Sequence, residues 1–295
     1  MIVSGRTTAV PSLHASLATV ALLHSSFRLH VVRNRNVVSE DRLSLRAFDR
    51  KGHLGRPVLT VVLEGRARIE CEGAERWLEA GDVSLLHHKD AVVMRQDGES
   101  FESLAIEWEP GTLGARPTGW QTGRLPAPVF ERLRALAGTV GTSDVRREAS
   151  RFAAIVGLLR GSGAPFDSVD AGMLVEPPLQ HMAAVARALD ATLSDLAAQP
   201  MMVDLHRALG VTPRHMQRLV TAFHEHYGFN ATTWRDALNR RRLLLGVAMM
   251  TAPGATTERT ALAMGYGSAT AFCRALAQAG LPSPSAVPGV VRGLL

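Results

Sequence analysis

The sequence has few cysteines and few lysines. Cys71 and Cys273 are its two cysteines, they lie far apart, and neither belongs to a CxxC motif. This excludes a disulfide framework and a zinc-type cysteine cluster, and it is consistent with a cytoplasmic location. Of the 33 basic residues only Lys51 and Lys89 are lysine, a bias that we attribute mainly to coding. Arginine can make forked contacts to guanine and phosphate that lysine cannot.

Long apolar runs are also missing. No segment approaches ~20 uninterrupted apolar residues, so we expect no membrane span. The apolar segment 15–23 is short and lacks the cleavage site of a signal peptide. We therefore expect residues 1–40 to form an N-terminal extension, either an amphipathic helix or poorly ordered.

The sequence contains no P-loop, serine nucleophile elbow or HExxH motif. His87 and His88 are adjacent and would face opposite sides of a strand, so together with His53 they do not resemble a metal site. No cofactor, no metal and no enzymatic activity are therefore expected.

The positive charge is confined to the last third of the chain. Residues 201–295 hold ten arginines against four acidic residues, whereas residues 1–200 carry equal numbers of basic and acidic side chains. This distribution is typical of a basic, nucleic-acid-binding module attached to a neutral domain, although chance clustering would also produce it.

Residues from about 40 to 110 have the pattern of short strands. In the segment 58–71 apolar residues alternate with polar ones, which is typical of a half-buried strand, and Gly65 allows a bend or bulge. The frequent turns indicate a small sandwich or barrel, whose interior can hold one small ligand. Strand parity places the following residues on the inner face, as an effector pocket or as a plain packed core: Leu59, Val61, Leu63, Ile69, Cys71, Val83 and Leu85.

After residue 110 the pattern becomes helical. The Gly- and Pro-rich segment 109–128 is predicted to connect domains, and the segment 161–178 resembles a flexible linker. Between them two helices are predicted, and the apolar stripe from Val145 to Leu159 has two interpretations. It could pair two protomers, or more simply pack on its own barrel.

The C-terminal region contains an internal repeat. The segment "HRALGVTPRHMQRLV" aligns with "ALAMGYGSATAFCRAL" about 55 residues later, with one residue inserted after the glycine. In each copy a glycine, Gly210 or Gly265, permits a sharp turn between two helices. The helix between the copies, predicted over 232–250, is about 28 Å long, which suits two reading helices in successive major grooves. Its "NRRR" cluster, which includes Arg240, is expected near a phosphate backbone.

These residues carry a family resemblance. Residues 181–290 resemble the DNA-binding domain of AraC/XylS-family transcription regulators, on "LGVTPRHMQRLV" and on "ALAMGYGSATAFCRAL" followed by "GLPSPSAV". The segment "LEGRARIECEGAERWLEAGDVSLL" is similar to that family's cupin-like sensor domain, with a much weaker motif. The resemblance implies an α+β multidomain protein with an N-terminal β-barrel or cupin-like domain, with helices, and a C-terminal all-α domain of two helix-turn-helix units.

The domain boundaries that follow are an extension over 1–40, a cupin-like β domain over 41–112, a helical connector and linker over 113–178, and a DNA-binding domain over 179–295. The implied partners are double-stranded promoter DNA, an unknown small-molecule effector, a second copy of the chain and, for an activator, RNA polymerase. The chain is thus identified as a ligand-responsive transcription regulator. A cupin-type enzyme with an accessory helical domain and a DNA-binding protein without an effector are the alternatives.

The resemblance assigns reading positions in both helix-turn-helix units. Arginine can pair with guanine and glutamine with adenine, which agrees with the first unit, and Thr212 and His215 would reach phosphates. The assigned residues are Arg214, Gln217 and Arg218 in the first unit and Ala269, Thr270 and Arg274 in the second.

The sequence departs from the family at several positions. His206 stands where a small alanine is usual, and Thr257 and Thr260 replace large apolar residues. The second reading helix also lacks the basic run that commonly follows its arginine. We therefore expect the first unit to read sequence and the second mainly to position the protein.

Overall fold

The computed structural model describes residues 1–38, 55–71, 73–87, 92–141, 144–175, 181–229, 231 and 233–293. Within these ranges the chain is α+β, as predicted, with an antiparallel sheet followed by helices. The strands are β1 Ile2–Val10, β2 Ala15–Leu23, β3 Phe27–Arg35, β4 Val58–Cys71, β5 Ala74–Glu79, β6 Asp82–Leu86, β7 Val92–Trp108 and β8 Gln121–Arg124. The helices are α1 Ala127–Gly138, α2 Val145–Gly161, α3 Met182–Ser194, α4 Met202–Leu209, α5 Pro213–His226, α6 Trp234–Met249, α7 Thr257–Ala263, α8 Ala269–Gln278 and α9 Val287–Gly293.

Across the part of the chain that the structure describes, none of the helices combines the length and the apolar character that a membrane span needs.

The N-terminal segment is an integral part of the sheet. The strands pair in the order β1-β2-β3-β7-β4-β6-β8, and β5 pairs with β4. The expected helix or extension within residues 1–40 is therefore wrong, because segment 15–23 is strand β2. Leu22 packs into one core and Leu23 into another, so both faces of β2 are covered. A strand buried on both faces has a continuous apolar run, which periodicity alone cannot distinguish from a buried helix.

Strand β4 changes its inward face at Gly65. Gly65 has φ 75°, and the pairing with β7 shifts register on both sides of Glu64. A Cβ at residue 65 would lie 2.4 Å from the backbone oxygen of Ser100, so glycine is required here. A bulge adds one residue to a strand and thereby exchanges the faces of everything beyond it. Odd-numbered residues before Gly65 and odd-numbered residues after it therefore lie in different cores.

Both segments predicted as connections pack with the sheet. Segment 109–128 contains β8, which pairs with β6, and Trp120 donates its indole N–H to the Ser84 hydroxyl at 2.9 Å. In segment 161–178, of which residues 176–178 lie outside the described part, Phe166 is buried against Trp108 with ring centroids 4.9 Å apart. The prediction of a flexible linker is wrong for this segment, because large apolar side chains within it fill the core.

Helices α1 and α2 cover one face of the sheet. Phe152, Ile155, Val156 and Leu159 are buried, and the Phe152 ring stacks on that of Phe27 at 4.5 Å. The stripe proposed from the sequence as a surface for a second copy is thus occupied within the protomer, in line with the simpler of its two interpretations.

The sheet and the C-terminal helices share one hydrophobic core. Apolar residues of β1 and β2 are continuous with those of α3 to α6 in this core. Buried Arg28 of β3 donates a hydrogen bond to the backbone oxygen of Tyr227 and lies over the Phe229 ring, 5.0 Å from its centroid. The first strands therefore contribute to the packing of the helices as well as to the sheet.

A carboxylate fastens β1 to α3 at the edge of this core. Asp190 accepts hydrogen bonds from the Ser4 hydroxyl at 2.8 Å, the Gly5 amide at 2.9 Å and Arg6 Nε at 2.6 Å. We call Ser4, Gly5, Arg6 and Asp190 the Asp190 clamp. Charge-assisted bonds of this kind are short and strong, and Asp190 satisfies donors that would otherwise be desolvated.

We expect Asp190→Ala to lower the free energy of unfolding by about 2–3 kcal/mol, because three donors, one of them the partly buried Arg6 guanidinium, lose their acceptor. Chemical denaturation of the full chain measures this change. The matched control is Asp167→Ala, which removes an exposed carboxylate outside the core and should change stability by less than about 0.5 kcal/mol. Equal effects at the two positions would contradict the role of the clamp.

Candidate nucleic-acid interface

The first copy of the repeat folds as two helices joined at a glycine turn. Helix α4 ends at Gly210, which has φ 64°, and the Gly210 and Val211 amides donate to the backbone oxygens of Arg207 and His206. Helix α5 begins at Thr212, whose hydroxyl accepts from the His215 amide at 3.3 Å. Glycine is favoured at such a helix end because the left-handed conformation costs it little. We call α4 and α5 the first helix pair.

The second copy repeats this geometry. Helix α7 is followed by Gly265, with φ 75°, and the Gly265 and Tyr266 amides donate to the oxygens of Leu262 and Ala261. Helix α8 begins at Ser268, whose hydroxyl accepts from the Ala271 amide at 3.2 Å. The same two backbone bonds and the same type of cap therefore recur in α7 and α8, the second helix pair.

A shift of 56 residues aligns the second helices of the two pairs. Met216 and Val220 of α5 are fully buried, and so are Phe272 and Leu276 at the aligned positions of α8. Because buried positions coincide, exposed positions coincide too, including Arg218 and Arg274. The alignment inferred from the sequence is confirmed at the level of burial.

The predicted reading residues of α5 lie along one accessible side of the helix. Arg214 and Arg218 are exposed, and His215 and Gln217 are half-buried. Within the described residues, no acceptor is bound by the guanidinium of Arg214 or of Arg218. Gln217 donates to the Thr221 hydroxyl at 3.3 Å, which holds its amide beside these arginines. Both cations are therefore available to an anionic or acceptor-rich partner.

The predicted reading residues of α8 form a matching but chemically poorer face. Thr270 and Arg274 are exposed and Ala269 is half-buried. Among the described residues the Arg274 guanidinium also has no partner. The face therefore has one forked donor, whereas that of α5 has two.

The arginines of the "NRRR" cluster, Arg240, Arg241 and Arg242, have structural partners, contrary to the expectation for the cluster as a whole. Arg240 pairs with Asp236 at 2.9 Å, and Arg242 lies over the Tyr266 ring, 5.7 Å from its centroid. Arg241 is buried against β1, 3.5 Å from the Thr8 hydroxyl. The predicted phosphate contact is thus compatible with the position of Arg240 but not with that of Arg241.

Burial lowers the pKa of Arg241 to about 9, repulsion from Arg6 adds to this effect, and attraction from Asp190 opposes it. Burial likewise lowers the pKa of His224 in α5 to about 4, again with a contribution from Arg6. The sequence predicts no special role for His224, and it predicts Arg241 near a phosphate, because nothing in a local pattern shows that a strand distant in the sequence packs against α6. The lowered pKa values of His224 and Arg241 therefore both reflect their burial within the folded chain.

Two glycines permit close contacts around the second helix pair. Helix α6 has 16 residues, about 24 Å and shorter than predicted, and at Gly246 it meets Phe272 of α8 so closely that a Cβ would lie 2.7 Å from the ring. At Gly265 a Cβ would lie 2.1 Å from the backbone oxygen of Leu196, which follows α3. The position of α8 against α6, and of the turn before α8 against the end of α3, is therefore set by contacts that leave no room for a side chain at either glycine.

The residues predicted from parity as an effector pocket do not form one surface. Leu59, Val61, Leu63 and Leu85 belong to the core under α1 and α2, with Val83 packed against it. Ile69 and Cys71 belong to a separate core with Val62 and Phe101. The bulge at Gly65 separates the two groups, so their prediction as one lining is wrong.

An open cavity of about 400 Å³ lies elsewhere, where β1, the turn after α3 and α7 meet. Its lining includes Thr8, Pro11, Leu196, Arg259 and Leu262. Within the described residues no three histidine, cysteine or acidic side chains are grouped to hold a metal ion. Of the three histidines considered for a metal site, His53 and His88 lie outside the described residues.

We expect Gly246→Ala to destabilise the protein by about 1–3 kcal/mol, because the added methyl group cannot fit beside the Phe272 ring. Gly157→Ala is the matched control, since Gly157 is an exposed helical glycine of α2 with no atom within 4 Å of an added Cβ. It should stabilise the helix by about 0.5–1 kcal/mol. Thermal and chemical unfolding measure both, and a neutral Gly246→Ala would refute the close contact.

Comparison with known proteins gives the following similarities. No protein-family model matches the chain, and no curated protein matches it. Among solved structures, apo ToxT K231A from Vibrio cholerae is 12% identical, with 91% of this chain and 99% of that chain covered and a TM-score of 0.35. ToxT with a bound unsaturated fatty acid, also from Vibrio cholerae, is 13% identical, with 90% and 95% covered and a TM-score of 0.33. The AraC-like transcriptional activator CuxR is 14% identical, with 85% and 86% covered and a TM-score of 0.32.

Proposed function

We propose that this chain is a transcription regulator of the AraC/XylS type, which binds double-stranded promoter DNA through its two helix pairs. The observation that carries the proposal is the repeated helix pair with aligned caps, glycine turns and buried positions. In each pair an arginine without a partner among the described residues, Arg218 or Arg274, occupies the same exposed position. Helix pairs of this type place their second helix in the major groove.

The electrostatics of the C-terminal half favour a polyanionic partner. Among its ten arginines, Arg214, Arg218 and Arg274 are exposed on the second helices of the pairs, while Arg240 and Arg241 are engaged within the protein. Arg207, Arg235 and Arg259 are also exposed, on α4, α6 and α7, so the accessible cations of this half include those of the second helices and others beside them. Such cations would displace condensed counterions from DNA.

The first helix pair has more side chains that can recognise bases by hydrogen bonds. Arg214 and Arg218 can fork onto guanine O6 and N7, Gln217 can pair with adenine, and Thr212 and His215 could reach phosphates. On the second pair Arg274 can bind a phosphate or a base, and Ala269 and Thr270 are small. We infer that the first pair carries most of the hydrogen-bonded specificity and that the second mainly positions the protein. Base-substitution scanning of a bound site tests this, and equal sensitivity in both halves would contradict it.

Arg218→Ala is expected to weaken specific DNA binding by about 1–3 kcal/mol if Arg218 reads a base edge. Binding of the full chain to its own upstream DNA, measured across a salt series, gives both the affinity and the slope with salt. The matched control is Arg160→Ala, which removes the same charge from the exposed end of α2 and should leave the affinity within twofold. A similar loss for both variants would show that Arg218 contributes only overall charge.

We further propose that the N-terminal half responds to a small-molecule effector and that the active form is a homodimer, which would contact RNA polymerase if it activates. The cupin-like assignment of the strand-rich region and a DNA-binding region that begins near residue 179 belong to this proposal. An effector that binds the folded state raises its melting temperature by mass action. We expect one class of metabolite to shift both the melting temperature and the DNA affinity. A shift in neither with broad metabolite libraries would favour an effector-independent DNA-binding protein.

A further inference from the structure

The alignment of the two helix pairs assigns a DNA-facing position that sequence comparison did not. The same 56-residue shift that aligns Val220 with Leu276 places Cys273 at the position of Gln217. It likewise places Thr270 at the position of Arg214. Cys273 is an exposed free cysteine. Apart from Arg274, which aligns with Arg218, the polar reading side of α5 therefore corresponds to small and weakly polar groups on α8.

This difference changes the kind of base contact that each helix can make. Ala269, Thr270 and Cys273 offer a methyl group, a second methyl beside a hydroxyl, and a thiol that behaves as a small hydrophobic group. None of them can make the forked hydrogen bonds that distinguish guanine from adenine. Apolar contact with the C5-methyl group of thymine is the base contact that alanine and the threonine methyl favour in the major groove.

We propose that the second helix pair, besides positioning the protein, makes weaker apolar contacts with thymine methyl groups, an inference that rests on the proposed DNA-binding function. The DNA site is then asymmetric. The half-site under α5 presents guanine and adenine to Arg214, Gln217 and Arg218. The half-site under α8 presents a run of thymines to Ala269, Thr270 and Cys273, with Arg274 on a flanking phosphate. One helical turn, about 10–10.5 base pairs, separates the two centres.

The packing of α8 suits this form of recognition. Apolar contacts gain energy only at close approach, since dispersion falls steeply with distance. Phe272 is seated against Gly246, and Gly265 is seated against the backbone oxygen of Leu196, at separations that exclude a side chain at either glycine. The small side chains of α8 are therefore presented from a helix whose position is fixed, which compensates for their short reach.

The test begins with duplexes selected from a randomised pool by the full-length protein. In the selected site, thymine is replaced by uracil one half-site at a time, which removes only the C5-methyl group. Each contacted methyl lost under α8 is expected to weaken binding about fourfold, as burial of one methylene-sized group predicts. The same replacement in the other half-site should change affinity by less than twofold. Ethylation of a phosphate that Arg274 contacts should weaken binding of the unsubstituted protein but not of Arg274→Ala. The phosphates that behave in this way identify the half-site bound by α8.

Two variants connect the effect to the side chains. Thr270→Ser keeps the hydroxyl and removes one methyl group, so it should reduce the preference for thymine over uracil about two- to fourfold. The slope of affinity against salt should not change, because Arg274 is retained. The matched control is Gln217→Ala, which should relax discrimination at one adenine under α5 and leave the thymine preference unchanged.

Three outcomes are distinguishable. A thymine-rich half-site whose uracil substitution costs the expected affinity supports the inference. A specific site that tolerates uracil under α8, or that requires guanine there, overturns it and leaves the proposed function intact. Failure to select any specific duplex removes the proposed function and the inference together.

Discussion

The packing of β1 on α3 is the constraint on which the rest of the structure depends. Asp190 gathers a hydroxyl, an amide and a guanidinium from three consecutive residues of β1, and the apolar side chains beside it form a core common to the sheet and the helices. The same strand covers Arg241 of α6, which has Asp190 as its compensating carboxylate. A single carboxylate thus binds the Arg6 guanidinium and attracts that of Arg241 where the two halves of the chain meet.

The arrangement of the helix pairs depends on a second constraint, which is the absence of side chains at particular glycines. Gly210 and Gly265 end helices in a conformation that L-residues rarely adopt, and Gly246 admits the Phe272 ring. These positions determine how the second helices are presented, whereas the exposed side chains determine what they can contact. The orientation of the helices and their specificity for a partner are therefore determined by different residues. The exposed side chains can change without altering the orientation.

Much of the helical half was predictable from the sequence, and much of the sheet half was not. The repeat, its glycine turns and the exposure of Arg214, Arg218 and Arg274 follow from local spacing, and local spacing determines helical faces. The errors at segment 15–23, at segment 161–178 and at the parity of β4 have a common physical origin. The structure of each of these segments depends on residues distant in sequence, which pair with the strand, complete the core or cause the bulge. The burial of Arg241 and His224 belongs to the same class, because a cation-rich helix carries no local sign that a strand will cover it.

The shared core has a consequence for how the chain can be divided. A boundary near residue 178 separates two sequence patterns, but it does not separate two hydrophobic cores, since β1 and β2 supply side chains to the helices. Removal of the first strands would leave Leu189, Leu193 and Leu205 facing water, an apolar surface that favours self-association. The halves are therefore not interchangeable modules. If these helices were fused to another sensor domain, that domain would have to supply apolar side chains in place of those of β1 and β2.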